Sequence, residues 1–252
     1  MAPAAVHRPV APILLALFRP YRNPQTSPAL QSSENGYVLS LQRAGGIAAL
    51  VEASAYIVGF AVLATLLNPG IVEGWSSGEK LVFAIQNKLL IQVWMTFIYV
   101  VFGVLLVVLT VALHERLSKG AVGTMQVASA FGLIWAGLVI AGGMVAVVGL
   151  DLAAELHVKD AAQAASLWAS VGAIQSGLGG GVEIVGGLWM GLLSIAALRS
   201  GRLPAPLIYT GLAVSAAGVL TAVPGLSDIG AVFGIGQIVW FLWIGVTLLR
   251  RL

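Results

Sequence analysis

The chain has 252 residues, of which 59% are hydrophobic and 9% charged, with no cysteine and a formal net charge of +3. A soluble domain carries about 25% charged residues, so this composition cannot cover a water-facing surface, and lipid must be the solvent for most of the chain. The lack of cysteine excludes disulfides, thiolate metal sites, iron–sulfur clusters and thiol nucleophiles.

Residues 1–40 differ from the rest in being rich in Pro, Ser, Asn and Arg. Their one apolar run, Val10 to Phe18, is too short to cross a bilayer. The only basic groups before it are His7 and Arg8, and Arg19 and Pro20 follow in place of a small-residue cleavage site, so it reads as a retained tail lying along the membrane surface. From Tyr21 to Ser40 the run YRNPQTSPALQSSENGYVLS has linker composition and reads as disordered.

Residues 41–252 form the membrane domain. A helix needs about 20 apolar residues to cross roughly 30 Å of hydrocarbon. Six such runs are present, at about 44–67, 90–113, 124–149, 178–198, 205–223 and 229–249. The expected fold is therefore all-α, a polytopic six-helix transmembrane bundle. Helical extensions are expected at 79–89 before the second span and at 160–176 before the fourth, where Asp160 is a good helix N-cap. The run GLGGG at Gly177 to Gly181 predicts a bend or restart, because clustered glycines weaken a helix.

Lys and Arg concentrate in cytoplasmic loops. With the amino terminus inside, the inner segments hold Arg8, Arg19, Arg22, Arg43, Arg116, Lys119, Arg199, Arg202, Arg250 and Arg251, leaving Lys80, Lys88 and Lys159 outside. Both termini are then cytoplasmic.

Two acids fall within predicted spans, Glu52 and Glu183, and an ionisable group at membrane depth is costly enough to be a functional candidate. At about 1.5 Å per residue, Glu52 lies roughly 13 Å from Arg43 at the inner side. By the same rise, Glu183 lies roughly 24 Å from Arg199, toward the outside, so the two are not expected to share a proton. Each could equally be a packing residue, hydrogen-bonded or neutral.

In the second span Lys88, Gln92, Thr96, Tyr99 and Gly103 fall within about 80° of one helical face. That face should look into the bundle, and an ion pair or water-bridged contact between Lys88 and Glu183, with Gln92 and Tyr99 beside it, forms the first candidate site. The structural alternative is a Lys reaching for the interface and a Gln hydrogen-bonded across helices. A second polar stripe joins Glu52, Tyr56 and Gly59, with Gln237, Gly230 and Gly234 on the last span.

Gly177 and Gly181, Gly187 and Gly191, and Gly230 and Gly234 have the spacing of close helix contacts, within this chain or with a partner or second copy. Trp75, Trp94, Trp168, Trp189, Trp240 and Trp243 are read mostly as interface anchors. The three histidines, His7, His114 and His157, fall on opposite sides of the membrane and cannot form one metal or haem site. No hydrolase, metalloprotease or nucleotide-binding motif is present, so no metal or cofactor is expected, and nothing points to nucleic acid.

The segments RAGGIAALVEASAYIVG, NKLLIQVWMTFIYVVFGVLLVVLTVALHERL and GIGQIVWFLWIGVTLLRR resemble a bacterial family of six-span membrane proteins classed only as a domain of unknown function. The resemblance spans roughly residues 41–252 and implies a cytoplasmic (inner) membrane location and a six-helix bundle. It brings no activity. Three readings of function stay open: a non-catalytic accessory or small-ligand-holding protein, a small carrier or proton-linked permease, and a membrane enzyme of unfamiliar type.

Overall fold

The computed structural model describes residues 28–70, 74–181 and 183–250. The apolar run from Val10 to Phe18 therefore lies outside the described residues. Contacts divide the chain into two units, Met1–Tyr37 and Val38–Leu252.

The described residues are helical, with no strand among them. Helix α1 is Pro28–Thr65, α2 is Ser77–Gln86 and α3 is Lys88–Gly120. They are followed by α4, Val122–His157, α5, Ala161–Gln175, and α6, Ile184–Ser200. Helices α7, Ala205–Leu220, and α8, Gly230–Arg250, complete the chain. The stretch read as a disordered linker is thus helical from Pro28 onward. Proline is well suited to a first helical position, and Ala29, Leu30 and Gln31 are good helix formers.

Five helical stretches are long and apolar enough to cross a membrane: Gly36–Thr65, Lys88–Gly120, Val122–His157, Ala161–Ser200 and Ser227–Arg250. This is the architecture of a multi-pass membrane protein. The predicted span at 205–223 appears as α7, a shorter apolar helix of 16 residues. Its expected last residues, Thr221 to Val223, instead form a turn with Pro224 and Gly225, because the proline cannot extend the helix hydrogen-bond ladder.

The two expected extensions are present. Ser76 caps α2 in a reciprocal box: the Glu79 amide donates to Ser76 Oγ at 3.2 Å and the Ser76 amide donates to Glu79 Oε2 at 2.7 Å. The backbone and hydroxyl bonds from Ser76 hold the Glu79 carboxyl below its ordinary range. Asp160 caps α5, accepting from the Gln163 amide at 2.9 Å. Helix α2 packs on α5 at one end of the bundle, over a small apolar core that includes Leu67, Leu81, Ile91, Leu150 and Ala164.

The main core is built around aromatic rings. Tyr56, Phe102, Trp135, Trp189, Trp240 and Phe241 close a ring of contacts with centroid separations of 5.4, 5.8, 5.5, 5.8, 5.7 and 6.3 Å in that order. They come from α1, α3, α4, α6 and α8, so one cluster ties five helices together; tilted and edge-on pairs add to the area each ring buries. Trp189 and Trp240 are therefore core residues, at 0% and 1% exposure, not the interface anchors expected from sequence. Their side chains are enclosed by neighbouring helices, so neither indole is presented to lipid or water.

Small residues allow the closest approaches. A β-carbon on Gly187 would meet Val219 N at 2.7 Å and Gly218 C at 2.9 Å, so α6 and α7 touch backbone to backbone. Gly191 faces Ser215 and Gly234 faces Phe60, so these members of the spaced glycine pairs pack within the chain.

Candidate functional site

The helix that begins at Asp160 does not run straight to Ser200. It passes through a π turn, Ser176–Gly180, in which Gly179 takes φ +110°, and α6 restarts at Ile184. That left-handed backbone excludes nearly every side chain but hydrogen, and it realises the break expected at GLGGG. Discontinuous helices at membrane depth are tolerated where the freed backbone lies inside protein or lines a cavity.

A cavity of about 650 Å³ lies beside this break. Its walls come from α1 (Tyr56, Gly59), α3 (Trp94, Tyr99), α4 (Trp135, Val139), the break itself (Gln175, Gly179 to Gly181, Glu183) and α8 (Phe233, Gly234). Ser227 and Asp228, both exposed, also line it. Glu183 sits at the N-cap of α6, but its side chain does not cap the helix. Its amide donates to Thr221 Oγ1 at 2.8 Å, and that hydroxyl donates to Gly218 O at 2.7 Å, which fixes the backbone. No hydrogen bond or ion pair holds the Glu183 carboxylate among the described residues. Gln175 lies beside the Tyr99 hydroxyl, and Trp94 Nε1 donates to Gly59 O at 3.2 Å.

The first predicted cluster is divided by this geometry. Lys88 Nζ pairs with Asp151 Oδ1 at 2.5 Å, not with Glu183. Gln92 Nε2 donates to Val147 O at 3.2 Å. The predicted face of α3 turns toward α4 at Tyr99 and Gly103, where a β-carbon on Gly143 would strike Tyr99 and one on Gly103 would strike Ile140, whereas Thr96 on the same face is exposed. The reason is that α4 continues to His157, past the expected end near 149, which places Asp151 on a helix directly opposite Lys88. With its partner beside it, Lys88 has no reason to reach the break. Tyr99 and Glu183, the other half of the cluster, both line the cavity.

Of the second set, Tyr56 lines the cavity while Glu52 and Gln237 are fully buried and do not. Tyr56 is within electrostatic reach of both Glu52 and Glu183. Among the described residues, the side-chain oxygens of Glu52 and the amide atoms of Gln237 have no hydrogen-bond partner, as is also true of Thr110 Oγ1, Ser194 Oγ and the indole nitrogens of Trp135 and Trp189.

Sequence reasoning missed Trp135, Gln175 and Asp228. The position of Gln175 immediately before the glycine cluster was the one available signal; Trp135 and Asp228 carry none that separates them from an anchor or a loop acid. Among the described residues no group of three His, Asp or Glu is placed to hold a metal ion.

The opposite end carries a basic depression of about 360 Å³, lined by Val38, Leu39, Gln42, Glu115, Arg116, Lys119 and Arg202. Arg116 Nη1 donates to Gln42 Oε1 at 3.3 Å, and Arg202 Nη1 donates to the Arg116 carbonyl at 3.0 Å. Arg199 Nη1 donates to Thr124 Oγ1 at 2.6 Å. The loop after α3 and the loop after α6 thus meet at one end of the bundle.

No protein-family model matches the chain, and neither does any curated protein or any solved structure.

Proposed function

We propose that this is a non-catalytic membrane protein that holds a small ligand in the cavity beside the helix break. The observation that carries the reading is the cavity itself: about 650 Å³, lined by aromatic rings and a few convergent polar groups, Tyr56, Tyr99, Gln175 and Glu183. That size and mixture are typical of small-molecule sites. No nucleophile paired with a base lines it, which weighs against an enzyme.

The reading includes six crossings, with α7 as the fifth and shortest. At about 1.5 Å per residue, α7 is about 24 Å long, and a thinned bilayer can accommodate such a span. Both termini are placed in the cytoplasm. The meeting of Arg116, Lys119, Arg199 and Arg202 at one end supports that orientation. The bacterial inner membrane is proposed from the same basic asymmetry and from the family resemblance.

A carrier is the second reading, favoured by the discontinuous helix in the cavity wall. The buried Glu52, one helical turn from the cavity-lining Tyr56, would then serve the proton-linked form.

A thermal-shift panel of small amines, acids and neutral compounds tests the holding function on detergent-solubilised protein. Binders are expected to raise the wild-type midpoint by several degrees, since a ligand that binds only the folded state stabilises it. They should not do so in Ala231→Trp, whose indole would occupy the cavity from α8. A panel without binders, or binders that stabilise both proteins equally, would contradict the reading.

A further inference from the structure

We infer that the ligand is an amphipathic organic cation, a protonated or quaternary amine with an apolar body, held against Glu183. The inference rests on the ligand-holding reading and deepens it. Its basis is the charge of the cavity wall together with the state of one carboxylate.

Among the described residues the ionisable side chains that line the cavity are Glu183, Asp228, Tyr56 and Tyr99, and none is Lys, Arg or His. Lys88, on the cavity-lining helix α3, is paired with Asp151. The Glu183 carboxylate has no hydrogen bond or ion pair among the described residues, while its own backbone is pinned through Thr221. An ionised carboxylate in such a place requires a counter-charge. The N-terminus of α6 supplies a fraction of one; the rest must come from a proton or from the occupant.

The other walls discriminate between those two. Tyr56, Trp94, Tyr99, Trp135 and Phe233 present aromatic rings to the cavity. Aromatic faces attract ammonium groups by their quadrupole, most strongly where water is excluded, and they also accept an apolar body. A proton alone needs neither the rings nor the volume. An anionic ligand would face two carboxylates and, among the described residues, no fixed cation. The exposed Asp228, in the turn just before α8, adds to the attraction a cation meets on entry.

The test compares benzyltrimethylammonium with its neutral carbon isostere, neopentylbenzene, on full-length protein in nanodiscs, read by calorimetry and by quenching of tryptophan fluorescence. The cation is expected to bind at least tenfold more tightly than the isostere in wild type. In Glu183→Gln that difference should vanish, while binding of the isostere is unchanged. Because Glu183→Gln could disturb the helix break, Asp228→Asn serves as a second variant; it should weaken the cation alone, by a smaller factor. Equal binding of the two probes, or no binding of either, would overturn the cation assignment. Neutral or acidic binders from the thermal-shift panel, excluded by Ala231→Trp, would show that the cavity holds a ligand of another charge. An empty panel would remove the holding function as well.

Discussion

Replacing Gly187 by leucine is expected to abolish the folded protein, and replacing it by alanine to lower its stability by about 1–3 kcal/mol. The alanine β-carbon would lie 2.7 Å from Val219 N, 2.9 Å from Gly218 C and 3.0 Å from Ser215 O. These are backbone atoms of α7, so no rotamer change can make room, and the two helices must separate. In a membrane the association of helices depends on such packing rather than on exclusion of water, so the loss is not recovered elsewhere. Gly137 is the matched control. It lies within α4 with nothing within 4 Å of its β-carbon position, so alanine there should stabilise the helix by up to about 1 kcal/mol. Thermal unfolding in one detergent, followed by circular dichroism, measures both. Equal midpoints for Gly187→Ala and wild type would mean that α6 and α7 do not meet as described.

Glu52→Lys is expected to prevent folding, whereas Glu52→Gln should stay within about 1 kcal/mol of wild type. Glu52 is fully buried and neither carboxylate oxygen has a protein partner, so an amide of the same shape forfeits no protein hydrogen bond. A lysine there would place an ammonium inside the bundle at membrane depth, at a cost of about 3 kcal/mol or more. Monodisperse yield by size-exclusion chromatography separates the two outcomes. A Gln variant as damaged as the Lys variant would mean that the carboxylate itself holds the core together.

Much of this architecture could be read from the residues. Charge scarcity and the length of the apolar runs gave the helical membrane class, Asp160 marked the start of α5, and the glycine cluster marked the break that now borders the cavity. Those features are local, governed by transfer energies, capping and backbone freedom. What could not be read depends on which helices become neighbours. Lys88 was matched to Glu183 because the end of α4 was placed too early, and eight further helical residues bring Asp151 opposite it instead. Trp135, Trp189 and Trp240 form the core because indole suits a packed interior as well as an interface, and composition does not separate the two. The predicted face of α3 packs against α4 at Tyr99 and Gly103 while Thr96 stays exposed, and the facing helix was not identifiable from periodicity.

Site-directed labelling tests the central claim of a membrane-embedded bundle with its basic loops on one side, and the chain's lack of native cysteine makes the readout clean. Ser77→Cys and Ser118→Cys would each be expressed in bacterial cells and exposed to a membrane-impermeant maleimide before and after permeabilisation. Ser77→Cys, at the start of α2, should react in intact cells, and Ser118→Cys, in the loop that carries Lys119, should react only once the membrane is opened. Equal reactivity of both positions in intact cells would contradict the account.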